Sequence, residues 1–166
     1  MSAGLTRGAT NTARPTGARR GTVVVTTVAS DSHTWNLVYL QMLIEELGYE
    51  VINLGPCVPD QVLVDACRET APDLVVISSV NGHGHQDGLR VIGALRACGE
   101  LTSTPVVIGG KLGVAGQQSE AAIGELRSAG FDAVFDDSST TPREFSRFVG
   151  ALSPAARALE RTEVGA

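Results

Sequence analysis

The chain has 166 residues, 43% of them hydrophobic and 19% charged, which fits one globular domain with a full core and excludes a disordered chain. Net charge is −5, and Arg7, Arg14, Arg19 and Arg20 lie among the first twenty residues with no acid, leaving −9 for residues 21–166. An acidic body does not suit a phosphate backbone, and 4% aromatics do not build stacking platforms for single-stranded nucleic acid.

Residues 1–20 read as a disordered basic tail. The first strand is expected over Thr22 to Val28, a β-branched run. A helix follows from about Asn36 to Leu47, where Leu37, Leu40, Ile44 and Leu47 recur at helical spacing, and Gly48 caps it. Glu50 to Leu54 is the second strand. Pro59 opens the second helix, with Val62, Leu63 and Ala66 as its stripe, and Pro72-Asp73 breaks it. Leu74 to Ser79 is a continuous apolar run, as a central parallel strand covered on both faces requires.

The third helix is expected over Gln86 to Cys98, the fourth strand over Pro105 to Ile108, and a glycine-rich loop over Gly109 to Gly116. A helix from Ser119 to Ala129 ends at Gly130, Asp132 to Phe135 is the fifth strand, and Thr141 to Leu152 the last helix. The domain is thus expected to span residues 21–153, with residues 154–166 frayed. Five βα units predict an α/β, three-layer, flavodoxin-like (Rossmann-like) fold with a five-stranded parallel sheet of order 2-1-3-4-5. Its switch point lies between strands one and three, so the loops carrying Asp31, His33, Ser78 and Ser79 are predicted to converge.

His33 is the pivotal residue. A neutral imidazole binds a metal through one nitrogen while its other N–H donates to a carboxylate, and Asp31 is two residues away. The bland alternative is an Asx-turn at Asp31 and a surface histidine. One histidine does not hold a bare zinc ion; His83 and His85 are conceivable additional ligands, and one histidine suffices for a metal already held in a macrocycle. Ser78 and Ser79 end an apolar strand without a G-x-S-x-G context, so a hydrogen bond to a ligand fits better than a nucleophile. Gly109 and Gly110 allow close backbone approach, while the usual phosphate-loop patterns are missing. Lys111, the only lysine, either pairs with an anionic ligand group or is a solvated loop charge. A receiver domain would carry aspartate at the end of strand three, where this chain has serine. Flavin mononucleotide binding finds partial support in Ser30, Ser32 and Thr34, but Trp35 is the only nearby indole.

The pattern Asp31-x-His33, Ser78-x-Val80 and Gly109-Gly110 resembles the D-x-H-x-x-G, S-x-L and G-G signature of cobalamin-binding domains. More narrowly, over residues 21 to 150 the chain resembles the small, sigma-type subunit of adenosylcobalamin-dependent glutamate mutase (methylaspartate mutase). Ala29 to His33, Val51 to Gly55, Ser78 to Gly84, Val107 to Gly110 and Gly130 to Phe135 carry that likeness. The resemblance implies that His33 is the lower cobalt ligand in place of the cofactor's dimethylbenzimidazole, with Asp31 bonding its far nitrogen. It implies that Ser30, Asp31, Ser32, His33 and Thr34 line the corrin's lower face. The displaced nucleotide tail would run between strands one and three, bonded by Ser78 with Ser79 and Val80 beside it. Gly109 and Gly110 would make room for it, and Lys111, Leu112, Gly113, Val114 and Ala115 would follow its length. Two positions depart from the signature: Val80 replaces leucine, and Asn36 replaces glycine, where it is expected to crowd the tail while tolerating glycine-like backbone angles.

The resemblance further implies an isomerase, active only with a separate large epsilon-type TIM-barrel subunit, that interconverts L-glutamate and threo-3-methylaspartate by radical rearrangement. Some twenty residues before strand one leave no room for the helical domain of methyl-carrier corrinoid proteins. A stand-alone corrinoid carrier or cobalamin sensor is the competing reading. Three scattered cysteines, no membrane-length apolar stretch and no apolar leader point to the cytoplasm, away from membranes.

Overall fold

The structure is a computed structural model that describes residues 20–113, 118–137 and 142–152. Val114, Ala115 and nearly all of the two expected tails lie outside the described residues. Elements alternate as β1 (Thr22–Thr27), α1 (Trp35–Glu46), β2 (Glu50–Asn53), α2 (Asp60–Thr70), β3 (Leu74–Ser79), α3 (Gly84–Ala97), β4 (Val106–Gly110), α4 (Gln118–Ala129), β5 (Ala133–Asp136) and α5 (Pro142–Ala151). A 3-10 turn, Gly99–Leu101, leads into β4.

All strand pairs are parallel and the order is β2-β1-β3-β4-β5, the flavodoxin-like arrangement expected from the alternation. Every residue of β3 is buried, because helices cover both faces of a central parallel strand. One apolar layer joins Val24, Val75, Ile77, Val106 and Ile108 to Leu63, Ile92, Leu95 and Leu126 of α2, α3 and α4. The other joins Val23, Val25, Val76 and Val107 to Leu37 and Ile44 of α1 and to Phe145 and Val149 of α5.

Where boundaries move, packing explains the shift. Helix α3 starts at Gly84, two residues before the expected Gln86, because Gly84 lies directly on Ser79: an added Cβ would sit 2.8 Å from the Ser79 Cβ. Strand β4 continues through Gly109 and Gly110, which stand in register with Phe135 and Asp136. Pro59 is the N-cap of α2 rather than its first helical residue, with Asp60 next and complementing the helix dipole. Arg20, at the end of the expected tail, is anchored: its N–H donates to the Gly48 carbonyl at 3.0 Å and its guanidinium lies 5.7 Å from the Tyr49 ring centre.

Candidate functional site

The register aligns Thr27, Ser78, Gly109 and Phe135 across the carboxyl edge of the sheet. Side chains alternate along strands, so these four face the α1–α5 layer. The β1–α1 loop crosses above them. Its path is fixed from three sides. Asp31 N–H donates to Val28 carbonyl at 3.0 Å, Thr27 Oγ1 donates to the Asp31 carbonyl at 2.9 Å, and Cys57 N–H from the β2–α2 loop donates to the same carbonyl at 2.9 Å. Ser30 donates to Asp87 of α3, and Arg90 bridges Asp87 (2.9 Å) to Asp60 (2.7 Å), tying the loop to α3 and α2.

Asp31 is fully buried. Its Oδ1 accepts from His33 N–H at 3.0 Å and from His33 Nδ1–H at 2.6 Å, while Oδ2 accepts from Val80 N–H at 2.6 Å. Burial alone raises the Asp31 pKa, but the N–H groups of Val80 and His33 and the nearby imidazole outweigh it and hold the carboxyl below its ordinary value. The ionised carboxylate fixes the His33 tautomer with the proton on Nδ1. That leaves Nε2 without a protein partner among the described residues, on a side chain that is 59% exposed. The arrangement orients the ring and leaves one ring nitrogen exposed, as a metal ligand requires.

Beside this loop opens a cleft of about 190 Å³. Asn36, Tyr39, Leu40 and Leu43 of α1 form one wall, Val76, Ser78, Val80, Val107, Gly109 and Gly110 the floor, and Phe135, Asp137, Pro142 and Phe145 the other wall. It lies over β3, β4 and β5, not between β1 and β3. The last two are hydrogen-bonded neighbours from Val23–Leu74 to Thr27–Ser78, and α1 already covers β1 through Leu37 and Ile44.

The predicted residues divide accordingly. Ser78, Val80, Gly109 and Gly110 reach the cleft, while Asp31 and His33 meet outside its lining, joined to it by the Val80 N–H that Asp31 accepts. Ser79 faces the opposite layer, against Gly84, with its hydroxyl 3.3 Å from Asn81 Oδ1. Leu112 packs into the α2–α3–α4 core, and Gly113, at φ +82°, lies against the Gly82 carbonyl. Residues 111–113 therefore turn away from the cleft, with Lys111 exposed. Ser32 and Thr34 are exposed beside His33. Asn36 has ordinary helical backbone angles and is not among the positive-φ residues, so no glycine-like conformation is needed there; its effect is that of its side chain. His85 pairs with Glu125 at 3.0 Å, and no three metal-ligating side chains gather among the described residues, so the three-histidine alternative has no geometry behind it. Sequence reasoning missed Tyr39, Leu43, Phe135 and Phe145. The signal was available in α1, which is apolar nearly all round.

The fold is that of an α/β domain whose candidate site lies at the carboxyl edge of its sheet, where open sheets of this kind bind ligands. Residues 21–146 match the B12 binding domain, and the chain belongs to that family. It is 32% identical over 123 residues to glutamate mutase sigma subunit 1 of Haloarcula marismortui, covering 74% of this chain and 80% of that one. It is 29% identical over 117 residues to the glutamate mutase sigma subunit of Fusobacterium nucleatum, covering 68% and 82%. A crystal structure of a cobalamin-binding protein from Desulfitobacterium hafniense superposes with a TM-score of 0.58 at 29% identity, over 69% of this chain; the match spans about half (52%) of that longer chain. Among the described residues no helix is long and apolar enough to cross a membrane.

Proposed function

We propose that this chain is the adenosylcobalamin-binding subunit of a glutamate mutase, working with a large barrel-type catalytic subunit to interconvert L-glutamate and threo-3-methylaspartate. Residues 21–153 form the cobalamin domain. The single observation that carries the reading is His33 held by Asp31 with Nε2 exposed, on a loop that Asp31 ties to the cleft floor through Val80.

The residues fit the group. One histidine suffices for a metal already held in a macrocycle. His33 Nε2 would be that ligand, with Ser30, Ser32 and Thr34 in the same loop and Asp31 holding Nδ1. The cleft takes the displaced nucleotide tail: Ser78 hydrogen-bonds it, Gly109 and Gly110 make room, and the walls from Leu40, Leu43, Phe135 and Phe145 bury its base at about 25 cal/mol per Å² of apolar surface. Val80 lies beside Ser78 on the floor of the cleft. When bound, adenosylcobalamin supplies a cobalt–carbon bond that breaks to give radicals. The protein's own part is to bind, orient the imidazole and keep Nδ1–H on Asp31. The substrate site belongs to the partner. An apolar, charge-free stretch of α1 beside His33, with Trp35 84% exposed and Val38, Tyr39 and Met42 also exposed, is the face that partner covers. Free thiols at Cys57, Cys67 and Cys98 suit the cytoplasm.

Absorption spectra of cobalamin with wild type and with His33→Ala test the ligand. Wild type is expected to give the base-off, histidine-on spectrum and the variant to lose it; identical spectra reject His33 as the ligand. Adding the large subunit then separates a mutase subunit, which gains activity, from a carrier, which binds cobalamin and stays inert.

A further inference from the structure

Asn36, which lines the cleft, carries a group with no partner among the described residues. Asn36 Nδ2 donates to Ser78 Oγ, and Asn36 Oδ1 is buried with no hydrogen-bond partner among the described residues. Turned the other way, the amide pairs its oxygen with the Ser78 hydroxyl and strands its nitrogen, so one end is unmet in either orientation. Buried polar atoms without partners are rare and costly in native proteins. Nothing in the local backbone asks for asparagine here, since Asn36 sits in the first turn of α1 with a helical conformation.

The position of this amide in the cleft says what would meet it. Helices in this fold run antiparallel to the strands, so the start of α1 and the end of β3 lie together at the carboxyl edge. Asn36 and Ser78 thus mark the mouth. Deeper lie Leu43, Val76, Val107 and Phe145, with no polar side chain among them. An occupant that suits both has an apolar end and a hydrogen-bonding neck.

We propose that Asn36 is a specificity-determining residue: its amide, braced by Ser78, receives a hydroxyl of the ligand where the ligand enters the cleft. A hydroxyl both donates and accepts, so it satisfies the amide in either orientation. This rests on the cobalamin reading, in which the apolar base of the nucleotide tail lies inward and its ribose lies at the mouth.

Cobinamide has the corrin and no nucleotide tail, so it separates the tail from the ring. Wild type, Asn36→Leu and Asn36→Gly are titrated with cobalamin and with cobinamide, followed by absorption, and each unliganded protein is melted to check its fold. Both variants are expected to bind cobalamin at least about tenfold more weakly and to bind cobinamide within about twofold of wild type. If Asn36→Leu fails to fold, Asn36→Gly carries the test alone. Unchanged cobalamin affinity overturns the proposal. So does tighter binding by Asn36→Gly, which would make Asn36 mere bulk in the way. An equal loss for both ligands also overturns it, since the tail would not be what Asn36 reads. Failure of wild type itself to coordinate cobalamin through His33 defeats the reading beneath, and is told apart because no variant is involved.

Discussion

Asp31→Asn tests the physical core of the site. The carboxylate is fully buried and accepts three N–H groups, two from His33 on one oxygen and one from Val80 on the other. An amide of the same shape keeps one acceptor and turns the other into a donor. It must then set its NH2 either against Val80 N–H or against the His33 pair. A buried donor left without an acceptor costs about 1–3 kcal/mol, and the bonds lost were charge-assisted, so about 2–3 kcal/mol of stability should go. For a domain of this size about 3 °C accompanies each kcal/mol, which puts Tm about 6–9 °C lower without ligand. Cobalamin affinity should fall about 10–100-fold, because the imidazole loses its orienting partner. Circular-dichroism melts and cobalamin titrations measure the two effects. A Tm within about 1 °C of wild type together with unchanged affinity would show that Asp31 neither braces the loop nor orients the ring.

The same carboxylate makes stability depend on pH. Its folded pKa lies below the ordinary 3.8, so its contribution is present above that value and is lost as pH falls through the folded pKa. The stability gap between wild type and Asp31→Asn, read from urea midpoints, should therefore shrink below pH 3.8; a gap that stays constant down to acid unfolding contradicts this. Gly110 has φ +107° and an added Cβ would overlap the Ser79 carbonyl, so Gly110→Ala should cost about 3 kcal/mol. Gly93 in α3 meets nothing within 4 Å, and Gly93→Ala should be neutral or stabilising by up to about 1 kcal/mol; equal denaturant midpoints for the two variants would refute the distinction. Trp35→Glu should leave cobalamin titrations unchanged and abolish co-elution with the large subunit; intact co-elution removes α1 from the partner interface.

The fold was legible because its signals are local. β3 reads as a continuous apolar run and occurs at the expected Leu74 to Ser79, and strict βα alternation leaves few topologies for five strands. The His33–Asp31 contact was legible for the same reason, since two residues in one loop can hardly avoid each other. What lay hidden is relational. Nothing in the sequence near residue 31 reveals that the second Asp31 oxygen holds Val80 N–H, a partner 49 residues away. Adjacent serines at a strand end look equivalent, yet the pleat sends Ser78 to the cleft and Ser79 to the opposite core. The cleft itself depends on how α1 and α5 lie over β3, β4 and β5, and tertiary packing sets that after the elements form.

Those hidden contacts bear on how the site works as a unit. The β1–α1 loop and the first turn of α1 are joined to the end of β3 by, among others, Asp31 to Val80 and Asn36 to Ser78. His33 and Asn36 are three residues apart on one side of this seam, and Ser78 and Val80 are two apart on the other. Ser78 of the cleft floor and the Val80 N–H that holds Asp31 thus belong to one strand end, and Asp31 in turn holds the His33 ring. The flavodoxin-like frame alone does not create that coupling, because frames of this kind carry many unrelated sites. It comes from a buried carboxylate with ligands on two loops and from an asparagine where the signature has glycine, and those two side chains are where this chain's own behaviour departs from that of its fold.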